Sequence, residues 1–391
     1  MWLYVIYGVA DLFGFYAWTY QILMFFCFAF GCIQFGKIRN FNVIDILVFT
    51  YISYILLNSI AIDYPQHLRF WINALIFQIC PFMCYFIART TNYATDDILE
   101  KMIIPMAIVM VLGIYFFYAQ PDWYTARKWE AIYDRYGEGI NSNNIIEKFR
   151  LSSIWQSSYY ISFATIIFIN YLIYEITQRD LEKKRKIIIY SLLGVSIVTL
   201  ILTQHRSCFA GVALTYAYYV LTTKKVKLKM FLLLLGAGIG VVFIYIMYSS
   251  PEYTEYVLSR LQDASSVAGI EDRLEYTGGN VDLNTVFGQG YGRYMLKARE
   301  YGGWSIIDSE YQKHLAELGY VGFTIFVLII LSSLFKGLTH KGNELELCIL
   351  LFFVVAFVGA SALSINSEYS FVFWYIVGRI SRNKNMQLHT K

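Results

Sequence analysis

The sequence predicts an all-α fold: a polytopic bundle of about eleven or twelve membrane-crossing helices with a large loop region outside the bilayer. Three observations lead there. Hydrophobic residues make up 57% of the 391 positions and charged residues only 15%, too little polar surface for a soluble chain of this length. Apolar runs of helical length recur from end to end. Lysine and arginine gather on alternate connections between those runs, the bias that sets orientation in membranes.

A bilayer core of ~30 Å needs about 20 apolar residues per helix. Runs of that kind lie at 18–36, 43–62, 69–88, 102–118, 158–175, 187–203, 207–222, 229–249, 315–335, 345–363 and 367–380. Residues 2–16 form a further short candidate that carries Asp11. The first apolar stretch runs on without an A-x-A site and reads as an anchor rather than a cleaved leader. Lys37, Arg39, Arg179, Lys183, Lys184, Arg185, Lys186, Lys224, Lys225, Lys227, Lys229, Arg379, Arg382, Lys384 and Lys391 all fall on one side, which is therefore assigned to the cytoplasm. The chain then divides into N-terminal helices (1–118), a first outer loop (119–157), central helices (158–249), a large outer loop (250–314) and C-terminal helices with a cytoplasmic tail (315–391).

Net charge is only +4, too small a surplus to point to nucleic acid. All six cysteines fall in apolar stretches, which argues against both a disulfide framework and a zinc site. The chain has no D-x-D, H-E-x-x-H, G-x-S-x-G or Walker A string, so the chemistry expected uses neither metal nor cofactor.

Outside the apolar runs, three places could carry chemistry. The first outer loop brings Trp123, Tyr124, Trp129, Tyr133, Tyr136 and Trp155 among balanced charges. Such rings stack on sugars, or they form the aromatic belt of a membrane interface. At the outer tip of a hairpin, Gln204-His205-Arg206-Ser207 puts an ionisable group where it is costly. Arg206 either snorkels to headgroups or holds an anion. A guanidinium ~4 Å from a phosphate charge is worth about 4 kcal/mol at an effective dielectric near 20, and its fork matches phosphate oxygens.

The third place is Asp308-Ser309-Glu310-Tyr311-Gln312, leading into Gly319 and Gly322. On a continuous helix Asp308, Gln312, Leu315, Gly319 and Gly322 share one face. The glycines would let that face approach a neighbouring helix, with Glu310, His314 and Glu317 on the face beside it. The alternative is that these carboxylates only complement a helix dipole. Phe287-Gly288-Gln289-Gly290-Tyr291-Gly292-Arg293 upstream does not open a nucleotide-binding helix, and its glycines are expected to make a tight turn before the site helix.

The order of these features over roughly 150–335 resembles the O-antigen ligase and polymerase superfamily of WaaL-like and Wzy-like proteins. The resemblance rests on Thr203-Gln204-His205-Arg206-Ser207, on Arg273 ahead of the Phe287–Gly292 string, and on Asp308-Ser309 followed after nine residues by Gly319 and Gly322. The ligases carry a His where this chain has Asp308, which turns the expectation toward a Wzy-type polymerase. The resemblance implies a multi-pass protein of the bacterial cytoplasmic membrane. Its activity would be metal-independent, inverting transfer of glycan from undecaprenyl diphosphate to a sugar hydroxyl. It further implies Arg206 and Arg273 as diphosphate-binding groups and Asp308 at the place of the base; Arg150, where the first outer loop re-enters the membrane, is a further diphosphate candidate, and Glu310 is the reserve base. Tyr291, Arg293 and His314 are the expected substrate contacts. Lipid-linked oligosaccharides, membrane lipid and a chain-length regulator are the expected partners. A ligase acting on lipid A core, a flippase of the same lipid-linked unit, and a binding protein without catalysis are the rival readings.

Overall fold

The computed structural model describes residues 16–61, 68–136, 150–155, 158–223, 229–230, 236, 238, 283, 285–294, 309–340, 342–360, 363 and 369–382. Among these the fold is all-helical, without a strand. The helices are α1 (Tyr16–Phe35), α2 (Val43–Ala61), α3 (Leu68–Thr90), α4 (Thr95–Glu100), α5 (Ile103–Ala119), α6 (Asp122–Tyr136), α7 (Ser158–Gln178), α8 (Lys183–Thr203), α9 (Arg206–Thr222), α10 (Glu310–Thr339), α11 (Glu344–Ala356) and α12 (Tyr369–Ser381), with a 3₁₀ turn at Ser153–Trp155. Residues 2–15, nearly all of the run 229–249, and most of both outer loops lie outside the described residues.

Among the described residues, α7, α8 and α10 are each long and apolar enough to cross a membrane, and α5 joins them if counted with the segment Asp122–Glu130 that follows it. Shorter apolar helices surround them. The set is compatible with a multi-pass membrane protein. α7 sits at the centre, buried along nearly its whole length, with α8 beside it. α3 packs between α1 and α12, α2 against α10, and α9 against α11. The outward faces stay apolar: Phe25, Phe26, Ile104, Leu221 and Phe335 are all well exposed. So many large, well-exposed apolar side chains suit a surface that faces lipid.

The two ends of the bundle differ. At one end Arg179 pairs with Asp96 at 2.5 Å and with Glu175 at 2.8 Å, and Arg185 pairs with Glu100 at 2.8 Å. Thr95 and Arg379 meet on Glu346, Arg382 donates to the Thr91 carbonyl, and Lys336 and Asn42 both donate to that of Ser381. Deeper in, Arg89 and Asp45 form a fully buried pair at 3.0 Å. Connections assigned to the cytoplasm on charge thus meet at one end. The hairpin tip at 203–206, residues 150–155 and Ser158 meet at the other.

Two expectations are corrected. The run 345–363 was expected to be one span, but α11 stops at Ala356. Its 13 residues amount to about 20 Å of helix. The chain turns at Val358 and Gly359, and the Phe357 carbonyl accepts from Glu310 N at 3.0 Å and from Ser309 Oγ at 3.2 Å. Residues 119–157 were expected to be loop, yet they begin with α6. This helix leaves α5 at 100° and turns Tyr124 inward, where its hydroxyl binds Ser152 Oγ and the Ser153 carbonyl, both at 2.9 Å.

A third correction concerns α10, which is not continuous. Gly319 has φ 65° and ψ −170°, a conformation essentially confined to glycine. His314 and Phe326 stack with centroids 4.2 Å apart, and Tyr311 meets Phe323 at 6.3 Å. Twelve residues apart on a straight helix they would be separated by about 18 Å. Residues 310–318 therefore fold back beside 320–326. A Cβ at Gly319 would also collide with the backbone of Val286 and Gly288. Gly319→Ala is expected to destabilise the protein by about 3 kcal/mol or more, summing strain and overpacking. Thermal unfolding of the detergent-solubilised variant checks this.

Candidate functional site

Breaking a helix frees backbone groups that must find partners elsewhere. Here the stretch 285–294 supplies them. Gln289 N donates to the Ala316 carbonyl at 2.9 Å and Gly290 N to that of Glu317 at 3.0 Å, while Tyr320 N and Val321 N donate to the carbonyls of Thr285 and Val286. Tyr54 Oη closes the set by donating to the Leu318 carbonyl at 2.8 Å. Gly288, Gly290 and Gly292 all have positive φ (82°, 111° and 89°), so the expected tight turn takes the form of a strap crossing the break. At Gly319 the glycine face therefore meets this strap, whereas at Gly322 it meets Tyr54 of the neighbouring helix α2, as expected.

Folding back carries charge inward. Glu310, Lys313, His314 and Glu317 recur at helical spacing on one face, and that face is interior. Glu310 is 0% exposed and His314 2%. Glu310 Oε1 lies 3.0 Å from His314 Nδ1 and 3.7 Å from Lys313 Nζ, while its Oε2 accepts from Leu363 N at 2.7 Å. Glu317 Oε1 accepts from Tyr294 N at 2.9 Å. Ser309 caps the segment through Gln312 N. Tyr51 stacks on His314 and Phe326, and its buried hydroxyl has no hydrogen-bond partner among the described residues. Two carboxylates, a lysine and a histidine thus share one enclosed space, an arrangement that persists only when charges are paired.

Glu310 and His314 were expected beside an open mouth, one as reserve base and the other as substrate contact; both are enclosed. Tyr291, also expected to touch substrate, is buried at 4% exposure. Arg293 alone of the three expected substrate contacts faces outward, with Nη1 donating to the Gln289 carbonyl at 3.3 Å. Asp308 and Arg273 lie outside the described residues. Arg206 is the first residue of α9, and its side chain likewise lies outside them.

The hairpin tip is built from both sides. Gln204 ends α8 in the left-handed conformation with φ 58°, and His205 opens α9. Leu151 N donates to the Leu202 carbonyl at 3.0 Å, which fastens the segment that begins with Arg150 to the tip. Ser158 Oγ and His205 Nε2 share a hydrogen bond of 2.9 Å, and Tyr159 lies edge-on to the His205 ring. Across the tip, a Cβ built on Gly359 would lie 3.3 Å from Ser207 Cβ. Gly359 belongs to the same turn that accepts from Glu310 N. The backbone of Arg206, the segment after Arg150 and the start of α10 therefore adjoin one another at the same end of the bundle.

Sequence reasoning missed Lys128. It is 8% exposed, donates from Nζ to the Arg150 carbonyl at 2.7 Å, and lines a cleft with Arg150 and Trp129. Its spacing of four from Tyr124, which is also buried, was the available signal. The aromatic residues of the first outer loop divide by role. Trp155 is 0% exposed and belongs to the core, Tyr124 anchors the turn, and Trp123 is 53% exposed.

No protein-family model matches this chain, and no curated protein matches it.

Proposed function

We propose that this protein crosses the bacterial cytoplasmic membrane with its ion-paired end inside, and polymerises lipid-linked oligosaccharide units at the outer face. An acceptor sugar hydroxyl attacks the anomeric carbon of the donor glycan. The new glycosidic C–O bond forms as the bond to undecaprenyl diphosphate breaks, and the anomeric configuration inverts. The electron pair of the broken bond leaves with the diphosphate. Arg206, Arg273 and Arg150 stabilise that growing negative charge, the kind of preorganised electrostatic help that contributes most in enzymes. Asp308 takes the hydroxyl proton. Glu310, enclosed and paired with His314, holds the folded-back segment in place and leaves the base role to Asp308.

The observation that carries this reading is the adjacency of the hairpin tip to the start of α10. The Gly359 turn touches Ser207 on one side and the backbone of Glu310 on the other. That puts the neighbours of Arg206 and of Asp308 in one place. The purified protein, reconstituted in proteoliposomes and given only lipid-linked repeat units, is expected to yield a ladder of chain lengths. Absence of any product longer than the starting unit contradicts the polymerase reading.

One observation favours a second reading. A flippase needs polar groups inside the bundle, and the enclosed Glu310, Lys313, His314 and Glu317 are such groups. Movement of a fluorescent lipid-linked unit across the same vesicles, without chain extension, would select that function instead.

A further inference from the structure

We propose that Glu317 is a proton-binding site: its carboxyl is protonated while the cluster is enclosed, and it yields that proton to the outer compartment when the strap lifts. The choice of compartment rests on the membrane orientation proposed above; the proton site rests on neither proposed activity.

The enclosed charges do not balance. Glu310, Lys313, His314 and Glu317 interact as one group, and all four residues are 0–2% exposed. Two carboxylates face one lysine, and a neutral His314 adds no charge, so one negative charge is in surplus. A buried charge without a counter-charge is costly enough that the group takes up a proton instead. The two glutamates are treated differently. Glu310 is met by Lys313 Nζ at 3.7 Å, His314 Nδ1 at 3.0 Å and Leu363 N at 2.7 Å, surroundings that suit a carboxylate. Glu317 Oε1 accepts from Tyr294 N at 2.9 Å, whereas its buried Oε2 has no hydrogen-bond partner among the described residues. A bare carboxylate oxygen in that position is the costlier of the two to leave charged, and so the proton belongs on Glu317.

The surroundings give the proton a place and a way out. Besides Lys313 and His314 on its own segment, the titratable groups facing Glu317 are Tyr51 of α2 and Tyr291 of the strap. Each interacts electrostatically with both glutamates, and neither brings positive charge. Tyr51 lies eight residues into α2, about 12 Å from its start, which sets the group within the membrane-spanning layer. Ionisable side chains at such depth serve ion and proton pathways, and coupling-ion sites in transporters are built on interrupted helices, as α10 is at Gly319. Tyr51 packs against Phe82, Phe326 and Trp374, so aromatic rings wall off one side. The strap closes the other, with Gly290 N bonded to the carbonyl of Glu317 itself. Tyr54 and Asn58 hold the Phe287 carbonyl of the strap toward the end of α2 remote from Asp45 and the ion-paired end. Lifting the strap therefore opens Glu317 to the outer side.

Infrared spectroscopy of the intact protein in detergent tests the assignment. At neutral pH the wild type is expected to show the carbonyl-stretch band of a buried protonated carboxyl, and Glu317→Gln to lose it. Hydrogen exchange reads the consequence. The enclosed form holds one proton more than the opened form, so raising the pH favours opening. Amide protection over 310–318 should therefore fall by about tenfold per pH unit from neutral upward. Glutamine copies the neutral carboxyl, so Glu317→Gln should fold as wild type and show protection that is flat with pH. Absence of the band from the wild type would overturn the proposal and put the balancing proton on His314. A band that survives in Glu317→Gln, wild-type protection that does not change with pH, or a Glu317→Gln chain that fails to fold would each overturn it too. Both measurements need neither bilayer nor substrate. A band lost in Glu317→Gln, together with no ladder in proteoliposomes, would leave the proton site standing and contradict the polymerase.

Discussion

Replacing Glu310 with alanine is expected to cost about 3–5 kcal/mol of stability, because it strands buried positive charge. Lys313 Nζ and His314 Nδ1 lie 3.7 and 3.0 Å from its carboxylate, and all three side chains are 0–3% exposed. Leu363 N also loses its acceptor. Glu310→Gln keeps an oxygen for Leu363 but not the charge, so it should fall between wild type and Glu310→Ala. Pairing Glu310→Leu with Lys313→Met should recover much of the loss, since removing both partners of a buried pair costs far less than removing one. Denaturant unfolding of the three variants in detergent micelles measures all of this. Equal stability of Glu310→Ala and wild type would show that the enclosed cluster does not hold the folded-back segment.

The second large effect is on chain extension. Arg206→Ala is expected to slow polymerisation by about 10²–10³-fold, as deleting one preorganised donor to a developing anion does. Stability should hardly change, because Arg206 stands at the first position of α9 and the tip is fastened by its neighbours His205 and Leu202. Arg206→Lys keeps the charge and loses the bidentate fork, so its activity should be intermediate. Asp308→Ala should fall by about 10²–10⁴-fold for loss of a general base. Rates of ladder formation in proteoliposomes check each variant. Wild-type rates in both alanine variants would remove these two residues from the site.

Helix positions were legible wherever a long apolar run decided them. Ten of the eleven sequence runs overlap a described helix, and the eleventh lies mostly outside the described residues. What failed to show was direction. Residues 310–318 and 320–339 are each good helix, so periodicity alone could not reveal that Gly319 reverses the chain between them. The run at 345–363 stays apolar past Ala356, so composition did not mark the stop, beyond which the Phe357 carbonyl accepts from Glu310 N and Ser309 Oγ. α6 hid because its charges are balanced and, among the residues whose side chains are described, one stripe through Tyr124 and Lys128 is buried.

Of the candidate site, the hairpin tip was readable because an arginine between two apolar runs demands a reason. Glu310, His314 and Glu317 were readable as one helix face, but Lys313 was not singled out, and nothing in the sequence said that this face turns inward. Lys128 went unnoticed because lysine on an outer loop is ordinarily solvated, and its burial depends on a carbonyl 22 positions away.

The account stands on Arg206 and Asp308 sharing the outer compartment. Impermeant maleimide labelling of intact cells tests that directly, using single Arg206→Cys, Asp308→Cys and Arg382→Cys substitutions in a chain whose own six cysteines have been replaced. The first two positions should label from outside, and position 382 only after the membrane is permeabilised. Labelling that puts 206 and 308 on opposite sides would contradict the account outright.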